Sequence, residues 1–146
     1  MSRARRSIAL IAIGIFTAAG CISPTDAPPG LVSVTGVWNF SSVESGRPNS
    51  TIGTLTLSQD ATVRFTGTLD ASETDDRGQV RRVLAIASGR TIDSTLVDFD
   101  LVLDPSRTRR HTATLRGDSL AGSWVQLSDA GGALTGTFHA RRVPAR

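Results

Sequence analysis

From Ala61 to Leu69 apolar and polar residues alternate without a break: Ala61, Val63, Phe65, Gly67 and Leu69 share one side, and Thr62, Arg64, Thr66 and Thr68 the other. A period of two is the geometry of an extended strand, whose successive side chains point to opposite faces. The stretch therefore reads as a strand with one face buried. Thr95 to Leu103 behaves likewise, with Val97, Phe99, Leu101 and Leu103 inward and Asp98 and Asp100 outward. Nowhere in the domain is there a 3.6-residue period to compete with this pattern, so helices are not expected.

Turn chemistry separates the alternating runs, at Ser58-Gln59-Asp60, Asp104-Pro105-Ser106, Gly117-Asp118 and Asp129 to Gly132. About eight strands result, at 33–43, 51–58, 61–70, 80–88, 92–103, 109–116, 119–127 and 133–142. Short connections make sequence neighbours antiparallel partners, which predicts an up-and-down meander. Closing it into a small all-β barrel removes the exposed edges.

Four segments share the form apolar, x, Gly, x, large apolar: Val34 to Trp38, Phe65 to Leu69, Leu120 to Trp124 and Leu134 to Phe138. Each glycine falls on the inward parity, where it permits a sharp bend or the close approach of a ring. Trp38, Trp124 and Phe138 are the rings expected to need that space. The Gly36-Val37-Trp38 motif on the first strand, followed by a meander and an arginine on the last, resembles the lipocalin and wider calycin pattern. That resemblance implies a tryptophan that closes one barrel end and an arginine stacked across it. Arg142, on the parity of Leu134, Gly136, Phe138 and Ala140, is the better match, with Arg141 as the fallback. Lipocalin chains are usually longer, carry a helix after the barrel and often have disulfides, features missing from this sequence.

The segment before the domain decides where such a barrel would reside. Arg3, Arg5 and Arg6 precede an apolar run from Ile8, and small residues lead to Cys21, the layout of a secretory signal peptide. The run is short of the roughly 20 residues that a transmembrane helix needs. Ala18-Ala19-Gly20-Cys21 resembles the lipobox of bacterial lipoproteins, although that family usually has Leu at the place of Ala18. The resemblance implies a leader over residues 1–20, lipidation of Cys21, and attachment to a membrane through its acyl chains. Two or more chains on one residue anchor stably, at about 0.8 kcal/mol per buried methylene. Residues 21–30, rich in proline and small residues, read as the lipidated cysteine and a short disordered tether, leaving 31–146 as the barrel domain. Ile22, where an aspartate would be the inner-membrane retention signal in some Gram-negative bacteria, favours an outer-membrane location facing the periplasm if the source has two membranes.

All 16 basic residues are arginine, and three belong to the leader, so the remainder equals the 13 acidic residues. The processed chain therefore gives no electrostatic reason to bind nucleic acid. Cys21 is the only cysteine, so no disulfide can form within the domain.

A search for catalytic motifs finds no nucleophile elbow, no His-Glu-x-x-His and no phosphate-binding loop. The reading is a non-enzyme without cofactor or metal. His111 and His139 have opposite parity, Asp98 and Asp100 read as a solvated face, and Asp70 to Gly78 reads as the longest and most acidic loop. Arg81, Arg82 and the block Arg107 to Arg110 read as a soluble outer surface. Ligand binding is then the first functional reading: a small apolar or amphipathic molecule held at the mouth or interior, with inward-parity Arg82, His111 and Gln126 as contacts. The alternative is a protein-interaction module of the cell envelope, such as a small periplasmic inhibitor or assembly accessory, binding an envelope protein.

Overall fold

The computed structural model describes residues 31–127 and 132–145; Cys21, its leader and the tether lie outside them. Eight strands follow one another: β1 (Gly36–Glu44), β2 (Ser50–Gln59), β3 (Arg64–Thr74), β4 (Val80–Thr91), β5 (Leu96–Asp104), β6 (Arg107–Arg116), β7 (Ser119–Leu127) and β8 (Ala133–Arg142). Each pairs antiparallel with its neighbour in sequence. β1 also pairs with β8, from Trp38 opposite Arg142 to Glu44 opposite Gly136, which closes the barrel. The expected all-β, up-and-down barrel is the observed fold, and the described residues contain no helix.

β7 and β8 run as the alternation places them, whereas other boundaries move for local reasons. β1 begins at Gly36 instead of residue 33, because Leu31 to Thr35 turns across the barrel end and buries Val34 completely. The pivot is Gly36, at φ 144°, a conformation that L side chains rarely adopt. β3 starts at Arg64 because the Asp60 carboxylate accepts the Thr62 N–H at 2.7 Å and holds a turn there, leaving Ala61 and Val63 exposed, not inward. Asp93 does the same for Thr95 and Leu96, so β5 begins at Leu96. The acidic loop is shorter than expected: β3 continues to Thr74, with Asp70 and Glu73 paired to Arg82 and Arg81 on β4.

Phe40, Phe65, Phe99 and Phe138 fill the barrel together with His111. The Phe99 and His111 rings stack 4.6 Å apart and Phe138 meets His111 edge-on at 5.0 Å. Two inward glycines make room for rings, and one of them, Gly89, lies outside the fourfold sequence pattern. A Cβ on Gly136 would stand 2.4 Å from the Trp124 ring, and one on Gly89 would stand 2.6 Å from Phe65. On β4 the small Val83, Ala85 and Ala87 point inward while Leu84 and Ile86 face solvent.

Candidate functional site

Because the strands alternate in direction, all inward residues late in β1, β3, β5 and β7 gather at one end with those early in β2, β4, β6 and β8. The two ends differ in kind. At the first, Trp38 is fully buried and donates its indole N–H to the Val34 carbonyl at 3.0 Å. The Arg142 guanidinium lies 4.4 Å over the Trp38 ring and donates to the carbonyls of Thr35 (2.6 Å) and Ser33 (2.7 Å). Gln59 accepts the Val34 N–H at 3.0 Å. Tryptophan, arginine and glutamine thus fasten the Ser33 to Thr35 segment over this end and seal it.

Among the described residues, no segment crosses the other end. Its inward positions are polar, and they line a pocket of about 530 Å³ bounded by Glu44, Arg47, Glu73, Arg81, Arg107, Arg109, Gln126 and Leu134, among others. Arg109 is its fixed point. Buried on β6, it donates to Glu73 (2.7 Å), Gln126 (3.1 Å) and Thr51 (3.3 Å), and its guanidinium lies 4.5 Å over the Trp124 ring. Glu73 also receives Arg81 and, at 3.4 Å, Arg107. Burial pushes the Glu73 carboxyl up, but the Arg81 hydrogen bond and the charge and hydrogen bond of Arg109 outweigh it, so the group is held below its usual range. Under the pocket, the Asn49 amide oxygen and the Trp124 indole N–H are buried without a partner among the described residues. Both border a small void of about 10 Å³ that continues the pocket inward.

Only part of the expected ligand set is brought here. Gln126 lines the mouth. Arg82 does not: it is exposed on the outer face and paired with Asp70 at 2.6 Å, because β4 carries the opposite parity to the one inferred from its large apolar residues. His111 faces inward but lies in the aromatic core, with Nδ1 3.0 Å from the Arg109 carbonyl and no access to the pocket. Its pKa is pushed down to about 3, first by burial and further by the Arg109 charge, against the hydrogen bond, so the ring is neutral. Arg81, Arg107 and Arg109, assigned by sequence to a soluble outer surface, are mouth residues instead. The overlooked signal was the second Gly-x-Trp, Gly122 to Trp124. It has its own stacked arginine, just as Gly36 to Trp38 does.

Outside the barrel, Asp100 pairs with Arg110 at 3.3 Å. With Asp98, Arg64 and Arg90 they edge a concavity of about 640 Å³ on the outer wall. It is larger than the mouth, and one carboxylate oxygen of Asp98 is buried in its lining without a partner among the described residues. His139 and Ser119 form a 2.9 Å hydrogen bond on the same exterior, far in sequence from any arrangement the motifs suggest.

Fold and site define a small closed eight-stranded antiparallel barrel with one end sealed and the other open among the described residues. No protein-family model and no characterised protein matches the chain. A solved structure, EF1p2_mFAP2b bound to DFHBI, is similar in fold, with a TM-score of 0.58 at 13% identity over 75% of this chain and 93% of that chain.

Proposed function

We propose that this chain is a lipocalin-like bacterial lipoprotein, anchored in the cell envelope through Cys21, whose barrel holds a small amphipathic molecule in its open mouth. The observation that carries the reading is the contrast between the ends: one is fastened shut by Trp38, Arg142 and Val34, and the other opens into a pocket with a buried arginine at its base. The aromatic core leaves no room for a ligand deep in the barrel, so the binding place is the mouth. A polar head fits among Arg47, Arg81 and Arg107, and an apolar part lies against Leu134. Pockets of this kind bury most of a ligand of modest size and orient it with a few polar groups. The solved barrel of similar fold is itself bound to DFHBI, which supports a barrel of this size as a scaffold for small molecules.

A binding role also suits the chemistry. The Ser119 and His139 pair lies on an open surface, with no carboxylate on the second ring nitrogen among the described residues. The test is a titration of the ¹⁵N-labelled protein with the small-molecule extract of its host. Shifts at Thr51, Glu73, Arg109, Gln126 and the Trp124 indole, with the Trp38 indole unmoved, are expected. A response confined to the outer wall, or none, would contradict the reading.

A further inference from the structure

The barrel is closed unevenly. β4 pairs with β3 along its length, from Val80 opposite Thr74 to Arg90 opposite Arg64. Against β5 it pairs only from Ile86, opposite Val102, to Thr91, opposite Val97, the shortest ladder in the barrel. Residues Val80 to Ala85 therefore have no ladder partner on the β5 side among the described residues. The phase of the backbone can be read from its ends. Asp75 donates to the Gln79 carbonyl and Thr91 donates to the Val63 carbonyl, so odd-numbered residues of β4 bond to β3. Ile92 donates to Leu96, so even-numbered residues face the other side. Val80, Arg82 and Leu84 consequently present N–H and C=O groups outward, the template on which a further strand adds.

The side chains beside this edge match it. Val80 is 66% exposed, Leu84 62% and Ile86 65%, with Val102 directly across from Ile86. No proline or bulge blunts the segment. Its charges are already paired, Arg82 with Asp70, Arg81 with Glu73, and Arg107 with Asp104 at 2.5 Å. A neutral edge gives neither an acidic nor a basic peptide an advantage, but it suits a copy of itself.

We propose that the free edge of β4 pairs antiparallel with the same edge of a second copy, making a two-fold symmetric dimer. The register follows from the phase and the charges. An axis through Val83 sets Arg82 opposite the partner's Leu84 and Leu84 opposite the partner's Arg82. Both are even-numbered residues, so four backbone hydrogen bonds form in phase. Of the two adjoining in-phase registers, one sets Arg82 against its own copy and is disfavoured by like charge; the other sets Arg82 opposite Ile86, whose backbone already pairs with Val102, and keeps only two hydrogen bonds. Each Arg82 keeps Asp70 and lays its aliphatic stem over a leucine, while Val80 approaches the partner's Ile86. The interface is isologous, as two-fold dimers require, and it does not depend on the mouth holding a ligand.

Leu84→Pro tests this directly, because the N–H it removes makes no bond to β3 and proline is tolerated on an edge. Residues 21–146 with Cys21→Ser are to be followed by sedimentation equilibrium from 1 to 500 µM. The unmodified edge is expected to dimerise with concentration, and hydrogen exchange at Arg82 and Leu84 to slow in step. Leu84→Pro is expected to be monomeric throughout with an unchanged circular dichroism spectrum. Should the proline variant unfold, Leu84→Lys decides, with an expected loss of at least tenfold in dimer affinity. A chain that is monomeric at 500 µM, a dimer untouched by either substitution, or protection at Arg82 and Leu84 that is independent of concentration would overturn the proposal.

Discussion

Arg142 and Arg109 have the same chemistry at opposite ends of the barrel, a guanidinium over an indole with its N–H groups on fixed oxygens, yet their consequences differ. Arg142 ties down backbone carbonyls and so closes a door. Arg109 binds side chains at a rim that stays open. Trp38 under the first is wholly buried, so Trp38→Ala is expected to cost about 3 to 5 kcal/mol, as aromatic truncations in cores do, in urea unfolding; a variant as stable as the parent would remove the sealing role. Arg142→Lys keeps the charge but cannot span two carbonyls, and a loss of about 1 to 2 kcal/mol is expected by the same measurement. His111 sets a pH dependence. Because its folded pKa lies near 3 and its unfolded value near 6.5, the unfolded chain takes up a proton that the folded chain refuses. Stability is then flat above about pH 7 and falls as pH drops from 6.5 towards 3, by up to about 1.4 kcal/mol per pH unit. Glu73, held low, adds its own loss only at more acid pH. The interval from pH 6.5 to 5 isolates the histidine, and in His111→Phe the unfolding free energy is expected to be flat there.

At the scale of elements, Gly89 and Gly136 make room for the rings beside them. Gly136→Ala places a methyl 2.1 Å from the Val43 carbonyl oxygen and 2.4 Å from Trp124, and neither the ladder nor the buried indole has space to yield. A loss of about 2 to 3 kcal/mol is expected, as for overpacked cores, measured as a lowered urea midpoint. β7 and β8 were legible in sequence to the residue, because their alternation is clean and a glycine and an aromatic mark the inner face of each. β4 was not. In Val83 to Ala87 both faces are apolar, so period alone cannot choose between them. The structure turns the face of smaller residues, Val83, Ala85 and Ala87, inward. That ambiguity set Arg82 inward by sequence, where the structure has it outward, and concealed Arg81 as the residue of inward parity. The acidic end of β3 was mistaken for a loop for a related reason. At the barrel rim inward positions need not be apolar, and the pairing that makes Glu73 a strand residue comes from arginines on β4 and β6.

For the whole molecule, the barrel itself followed from alternation and short turns, whereas the mouth did not. It is assembled from residues on six strands whose pairing no local pattern announces. Attachment is the separate matter of Cys21: Cys21→Ser is expected to abolish lipidation and release the protein from the membrane fraction, and retention of an unlipidated chain with its leader uncut would point to a signal anchor. The described chain begins at Leu31, at the sealed end, just before the segment that Arg142 fastens. Under the proposed anchoring through Cys21, the mouth is the end opposite the one where the described chain begins. The central claim is that this mouth carries a small molecule, and native mass spectrometry of protein purified gently from its own host measures it most directly. A discrete extra mass that is lost on denaturation, and reduced in Arg109→Ala but not in Arg82→Ala, is the result the account predicts. A clean mass of the chain alone, with a single envelope protein retained instead, would contradict it.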